Sequence, residues 1–147
     1  MFSGSGADIL SGIDEVLDGF KEINPRQLSP LVLAYIGDAV FEIIARTLTV
    51  SNGNAPVNVL HRKTSAIVKA KSQSDIYFKI EGILTEEEHS VFKKGRNAKS
   101  YTSPKNADIT DYRHATGLEA LFGYLFLEKR MDRAIELFKI GMDIEGE

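Results

Sequence analysis

Two apolar helical segments in this chain of 147 residues each surround an acidic side chain, and they limit the folds open to it. Asp38 lies in LVLAYIGDAVFEII, and Glu119 lies in ATGLEALFGYLFL. An ionised carboxylate seldom enters such surroundings without a cation or hydrogen-bond donors. Gly37 adjoins Asp38, while Gly117 and Gly123 flank Glu119. If these glycines mark a close helix crossing, the two carboxylates converge on one divalent metal ion.

Length and composition indicate one folded domain. A chain of 16.3 kDa with 43% hydrophobic residues can build a single core but not two. The absence of cysteine excludes disulfides and thiolate metal ligands, and it suits a reducing cytoplasm. Because the chain has neither a membrane-length apolar run nor a signal peptide, we expect a soluble cytoplasmic protein without a membrane partner.

Helix start signals and apolar periodicity predict an all-α fold. Ser29 before Pro30 begins a helix that runs to about Val50, and Thr85 with Glu88 forms a capping box for another. Thr110 is the predicted cap of a long helix to about residue 129. Further helices are expected around residues 9–20, after 54–56 and near the carboxyl end, where Ile135, Leu137, Phe138 and Met142 point inward. Alternating strand patterns are absent from the sequence.

A net charge of −3 conceals a basic region. Leu60 to Ala107 contains ten Lys and Arg against five acids, and VFKKGRNAKSYTSPKNA within it has no acid at all. Lys and Arg neutralise phosphates, and Asn can donate to phosphate or ribose oxygens, so this region is either an RNA-binding surface or an ordinary solvated loop. The candidate RNA-binding residues are Lys69, Lys71, Lys93, Lys94, Arg96, Asn97, Lys99, Lys105 and Asn106.

Each acid also has a structural interpretation. A lone acid in a helix is more often a surface carboxylate or half of an ion pair, and Arg46 and Arg113 are available partners. Glu42 lies one turn after Asp38 and is either a third ligand or an ion-pair partner within a dimer. Histidines lack the HExxH spacing of a zinc site, and motifs for a nucleotide cofactor or a serine nucleophile are absent.

The two acidic segments resemble a known family. LAYIGDAVFE resembles the LEFLGDSVL element of the ribonuclease III catalytic domain, and LEALFGYLFLE resembles its EALIGAxYLD element. The resemblance is closest to the stand-alone bacterial branch, Mini-ribonuclease III. It includes KSQSDI, LTEEEHSVFKKGRNAKS and SPKNAD, and it implies the helical fold of the ribonuclease III endonuclease domain. We therefore expect a flexible segment and short helix at 1–27, a catalytic domain at 28–142 and an acidic tail at 143–147.

The resemblance implies which acids act. Asp38 and Glu119 occupy family positions for catalytic metal ligands, whereas two further family acids are replaced here by Leu31 and Thr116. One metal ion per site is therefore better supported than two. The implied ion is Mg²⁺, with Mn²⁺ as an accepted substitute. Accessory candidates at the site are Glu42, Arg113 and Thr116.

The resemblance also implies an activity and an assembly. It predicts an endoribonuclease that hydrolyses double-stranded RNA to 5′-phosphate and 3′-hydroxyl ends, with precursor large-subunit ribosomal RNA as the substrate. It predicts a homodimer whose subunits contact each other through the helix from Pro30 to Val50. The alternative is that this helix lies wholly buried inside a monomer. Because we expect this chain to lack the double-stranded-RNA-binding domain of larger relatives, we expect the catalytic domain itself to bind phosphate. The alternative functions are a catalytically silent module that binds double-stranded RNA and a helical phosphohydrolase for small molecules.

Overall fold

The computed structural model describes residues 7–17, 23–99 and 108–144. Within these ranges the chain forms helices and turns without any strand, which confirms the predicted all-α class. The helices there are α1 (Ala7–Leu17), α2 (Pro30–Ser51), α3 (Val57–Val68), α4 (Ala70–Ile80), α5 (Glu86–Asn97), α6 (Ile109–Leu127) and α7 (Met131–Gly141). None of them is both long and apolar enough to cross a membrane.

Two predicted helix starts are confirmed by their hydrogen bonds. At α2 the Ser29 hydroxyl oxygen accepts from the Val32 amide at 3.2 Å, and Pro30 takes the first helical position. At α5 the Glu88 amide donates to the Thr85 hydroxyl at 3.1 Å, and the Thr85 amide donates to the Glu88 carboxylate at 2.9 Å. Both starts satisfy amides that the helix cannot pair internally.

Other details differ from the prediction. The cap of α6 is Asp108, whose carboxylate accepts from the amides of Thr110 at 2.7 Å and Asp111 at 3.2 Å, because Thr110 already lies in the first turn. In α7, Leu137 and Phe138 are buried as predicted, but Ile135 is exposed. The predicted amino-terminal helix is present as α1. The expectations for residues 3–6, Phe20, Lys105 and Asn106 lie outside the described residues, as do those for positions 145–147.

Helix α6 occupies the centre of the domain. Helices α2, α4, α5 and α7 pack around it, and most of its residues from His114 to Phe126 are buried. Phe122 of α6 meets the Phe41 ring edge-on at 5.4 Å, and Phe41 makes a similar contact with Phe138 of α7 at 5.5 Å. Glu119 therefore stands on the most enclosed element of the fold.

Candidate active site

Asp38 lies on the solvent side of α2. This helix buries Leu33, Val40 and Phe41 against the core, whereas Asp38 itself is exposed. The expectation that apolar surroundings enclose Asp38 is wrong, because part of the apolar surface of α2 also faces outward. Asp38 is therefore open to solvent and to ligands.

Helices α2 and α6 are in backbone contact beside both acids. A Cβ atom added at Gly37 would lie 1.6 Å from the backbone oxygen of Glu119 and 2.8 Å from the amide nitrogen of Gly123. A Cβ atom at Gly123 would lie 2.0 Å from the backbone oxygen of Leu33. Only glycine fits at either position, which confirms the predicted close crossing. Asp38 directly follows Gly37, so the crossing brings it to the turn that bears Glu119.

Gly117 belongs to a different crossing. A Cβ atom at Gly117 would lie 2.8 Å from the backbone oxygen of Phe92, and one at Gly95 would lie 2.7 Å from the Cβ atom of Ala120. Gly117 and Gly95 thus bring α6 against α5, and the expectation that Gly117 serves the crossing with α2 is wrong. The two crossings hold α6 from two sides, which limits its rotation and with it the direction of Glu119.

Glu119 is half-buried, and its carboxyl group interacts directly with Asp38. The pKa of Glu119 is raised to about 7, chiefly by burial and further by the charge of Asp38 and a hydrogen bond with Asp38, against a lowering contribution from the hydrogen bond with Gln73. A partly buried carboxylate next to a second carboxylate favours a proton or a cation between them. The structure thus brings together the two residues that the sequence predicted as a pair.

Gln73 of α4 is a site residue that sequence analysis did not identify. Its side chain is 2% exposed, and Nε2 donates to a carboxylate oxygen of Glu119 at 3.1 Å and to the backbone oxygen of Val68 at 2.9 Å. Among the described residues, its Oε1 atom is buried without a hydrogen-bond partner. In the sequence, Gln73 is visible only as a polar residue in an amphipathic helix, and this pattern does not indicate a contact with Glu119.

The donor set fits a hydrated Mg²⁺ ion. Asp38 and Glu119 offer carboxylate oxygens, which hard divalent cations prefer, and Mg²⁺ retains several waters when few protein ligands are present. In the described ranges, no three His, Cys, Asp or Glu side chains are gathered to hold a metal. Oε1 of Gln73, on the same side-chain amide that donates to Glu119, is an acceptor without a partner among the described residues.

Two of the three accessory candidates have other contacts. Glu42 accepts a hydrogen bond from Arg46 at 2.7 Å, an ion pair inside α2 rather than the predicted pair within a dimer. The hydroxyl of Thr116 donates to the backbone oxygen of Tyr112 at 3.0 Å. Arg113 is exposed and precedes Glu119 by six positions, which places it about 120° away around α6. A direct role at the carboxylate pair stays a prediction for these residues.

The predicted RNA-binding residues fall into separate places. Lys93, Lys94 and Asn97 line one face of α5 with His89 and Ser90, along an open groove of about 660 Å³ that Asp38 and Glu119 do not line. Arg96 does not line this groove, but its Nε donates to the side-chain oxygen of Asn97 at 3.1 Å, and its guanidinium carbon lies 6.0 Å from the centre of the Phe92 ring.

A second basic group lies at the amino end of α4. Lys69 is the residue before α4, and its backbone oxygen accepts a hydrogen bond from the backbone amide of Gln73 at 3.0 Å. Lys69 therefore lies one helical turn before the residue whose side chain donates to Glu119. Lys71 follows in the first turn and pairs with Asp75 at 2.6 Å. Lys99 is exposed beyond the end of α5. Basic residues thus occur both near the carboxylate pair and along α5.

Comparison with known proteins identifies the class. The sequence profile of the Ribonuclease III domain matches residues 31–130, which include both carboxylates and the helices from α2 to α6 but not α1 or α7. The chain therefore belongs to the ribonuclease III family, a class of RNA-cleaving nucleases.

Its most similar relatives here form one branch of that family. The chain is 50% identical over 129 residues to the Mini-ribonuclease 3 of Clostridium tetani, an alignment that covers 87% of this chain and 85% of the relative. It is 45% identical over 117 residues to the Mini-ribonuclease 3 of a Thermoanaerobacter species, with 80% and 82% covered. The resemblance predicted from LAYIGDAVFE and LEALFGYLFLE is thus confirmed, and the chain groups with the Mini-ribonuclease 3 proteins.

A solved structure shares the fold. The crystal structure of a Fusobacterium nucleatum protein superposes with a TM-score of 0.72 at 33% sequence identity, covering 80% of this chain and 94% of that one. The predicted ribonuclease III endonuclease-domain fold is therefore confirmed.

Proposed function

We propose that this protein is a Mg²⁺-dependent endoribonuclease that cleaves double-stranded RNA. The observation that carries the proposal is the meeting of Asp38 and Glu119 at the crossing of α2 and α6, at the positions of the family's acidic motifs. Two carboxylates in contact, one of them half-buried, form a site whose repulsion a divalent cation relieves. A silent RNA-binding module would gain nothing from this arrangement.

Each residue of the site has a separate role in this proposal. Asp38 and Glu119 would hold the ion, which when bound makes a coordinated water more acidic and offsets charge on the phosphoryl oxygens. The hydrogen bond from Gln73 favours the ionised form of Glu119, which is the form that binds a cation. Because Asp38 is exposed, a phosphodiester can reach the pair from the solvent side. Rigid crossings through Gly37 and Gly123 keep the two carboxylates in register.

An open, basic surface suits a polymer better than a small substrate. Lys93 and Lys94 carry charge along the α5 groove, and Lys69 carries charge near the carboxylate pair. Such charges neutralise RNA phosphates, while Asn97 can donate to phosphate or to a ribose hydroxyl in the shallow minor groove. Precursor large-subunit ribosomal RNA in the cytoplasm is the substrate that we assign by family analogy.

We also propose a homodimer in contact through α2. Since α6 takes the central position, α2 keeps an apolar face toward solvent, on the side that carries Asp38. A row of exposed apolar side chains on one helix favours association with a partner surface. The row consists of Leu31, Val32, Tyr35, Ile43 and Val50. A two-fold axis at this face would match the two-fold symmetry of an RNA duplex, with one site for each strand.

A labelled RNA duplex incubated with and without Mg²⁺ tests the proposal. We expect cleavage only with Mg²⁺, and we expect Asp38→Asn and Glu119→Gln to abolish it while duplex binding and the helical circular dichroism signal persist. Both substitutions conserve volume and remove the charge that holds the ion. Wild-type cleavage rates in either variant at saturating Mg²⁺ would refute the site assignment, and binding without cleavage by the unmodified protein would favour the silent module.

A further inference from the structure

The side-chain amide of Gln73 has a fixed orientation. Its Nε2 group has two hydrogens, and both have acceptors, the backbone oxygen of Val68 at 2.9 Å and the Glu119 carboxylate at 3.1 Å. Rotating the amide by half a turn would bring its oxygen against both of these oxygens, which repel it. The Val68 carbonyl, which cannot donate, therefore determines which atom of Gln73 faces Glu119.

The opposite atom of this amide is an acceptor without a partner among the described residues. Oε1 of Gln73 is buried and has no hydrogen-bond partner among the described residues, although the side chain is 2% exposed. Buried amide oxygens in folded proteins almost always accept a hydrogen bond, from protein or from an ordered water. Oε1 belongs to the same amide whose Nε2 holds Glu119. Its missing partner thus indicates a hydrogen-bond donor that is present when the site has bound its ligand.

We propose that Gln73 is a positioning residue of the metal site, which holds Glu119 through Nε2 and accepts through Oε1 a hydrogen bond from a water of the hydrated divalent ion. The inference rests on the proposed function, because it requires an ion at Asp38 and Glu119. A water bound to a cation is a strong hydrogen-bond donor. Its matching partner is therefore an acceptor such as an amide oxygen, and not a cationic or N–H group. Residues that orient ligands and waters in this way contribute strongly to metal affinity.

Substitution of Gln73 by methionine tests this role. Methionine keeps the length of the side chain and removes both polar atoms. The matched control is Ser74→Ala, because Ser74 is an equally buried α4 residue whose hydroxyl bonds to His114 of α6 at 2.9 Å, away from the carboxylate pair. Both variants lose an α4–α6 hydrogen bond, but only the first alters the proposed metal site.

Three measurements follow on the full chain. The first is the affinity for Mn²⁺, by calorimetry. The second is the rise of the melting temperature with Mg²⁺ concentration, and the third is the Mg²⁺ concentration that gives half-maximal duplex cleavage at a fixed RNA concentration. For Gln73→Met we expect the dissociation constant and both midpoints to rise by about tenfold or more, the loss typical for residues of this kind. We expect Ser74→Ala to match the wild type in all three.

The outcomes separate the two hypotheses. If the wild type cleaves with Mg²⁺ and Gln73→Met has the same metal affinity and midpoints, the role of Gln73 is refuted and the proposed function stands. If the wild type neither binds the ion nor cleaves, both are refuted.

A measurement on the wild type applies even if Gln73→Met does not fold. The side-chain amide resonances of Gln73 should shift during a Mg²⁺ titration with the midpoint of cleavage. Resonances that stay constant through saturation would overturn the inference.

Discussion

Replacing Gly37 with alanine tests the physical basis of the site. The added methyl carbon would lie 1.6 Å from the backbone oxygen of Glu119, so α2 and α6 must separate by roughly 2 Å to restore ordinary contact. Overpacking by one methyl group costs about 1–3 kcal/mol, and the upper end applies because the obstacle is backbone on a central helix. Alanine regains about 1 kcal/mol of helix propensity. The net loss is therefore about 2 kcal/mol, or about 4–8 °C in melting temperature for a chain of this size.

Thermal melting and duplex cleavage together provide the assay. We expect cleavage by Gly37→Ala to fall more than its stability, by roughly 100-fold at a temperature where the protein is folded, because displacements near 1 Å have such effects on catalysis. Gly12→Ala is the control, since Gly12 lies inside α1 and the added carbon would meet no atom of the described residues within 4 Å beyond the backbone of its own helix. It should be neutral or slightly stabilising. A Gly37→Ala protein with wild-type melting temperature and activity would show that the backbone contact does not set the distance between the carboxylates.

Three further predictions concern charge and assembly. In the absence of divalent metal, the pKa of Glu119 is raised from 4.5 to about 7 in the folded state. Between these two pH values the folded state binds more protons than the unfolded state, so the free energy of unfolding falls as the pH rises from 4.5 to about 7. Urea titrations of wild type and Glu119→Gln at pH 5 and pH 7.5 check this, and a wild type that gained stability relative to the variant at the higher pH would contradict it. Lys93→Gln with Lys94→Gln should reduce the slope of log affinity for duplex against log salt by about two, since each lost phosphate contact releases about one counterion fewer; an unchanged slope would exclude the α5 groove. Ile43→Glu should convert the proposed dimer to monomer in sedimentation at micromolar concentration, because it puts a charge in an apolar contact; a wild type that already sediments as a monomer would refute the interface.

The parts of the fold that the sequence predicted well depend on neighbouring residues. Ser29 before Pro30 and the Thr85–Glu88 box specify helix starts within a few positions, and both were observed. The glycine beside Asp38 predicted a close crossing because a missing side chain has a direct steric meaning. Asp108 was missed as a cap because Thr110 two positions later has the same capping chemistry, and only the backbone angles of the folded chain distinguish them.

The parts that could not be predicted depend on distant contacts. Gln73 and Glu119 lie 46 positions apart, and nothing around Gln73 indicates that α4 turns this side chain toward α6. The exposure of Asp38 was also unpredictable, since an apolar neighbour along α2 has the same appearance in the sequence whether it faces the core or an outer surface. Similarly, the near-buried pair of Arg133 with Glu88 at 2.8 Å joins α7 to a capping residue of α5 that already had a local role.

The distance along the chain between the crossing residues has a consequence for biosynthesis. Gly37 and Asp38 are translated about 80 residues before their partners Glu119 and Gly123, and domains fold as their segments leave the ribosome. A nascent chain that ends at α5 already contains the lysines of α4 and α5, yet it has one carboxylate and no α6 against which to close α2. Under the proposed function, such a chain binds RNA without cutting it. The carboxylate pair therefore assembles beside the ribosome only after α6 has emerged.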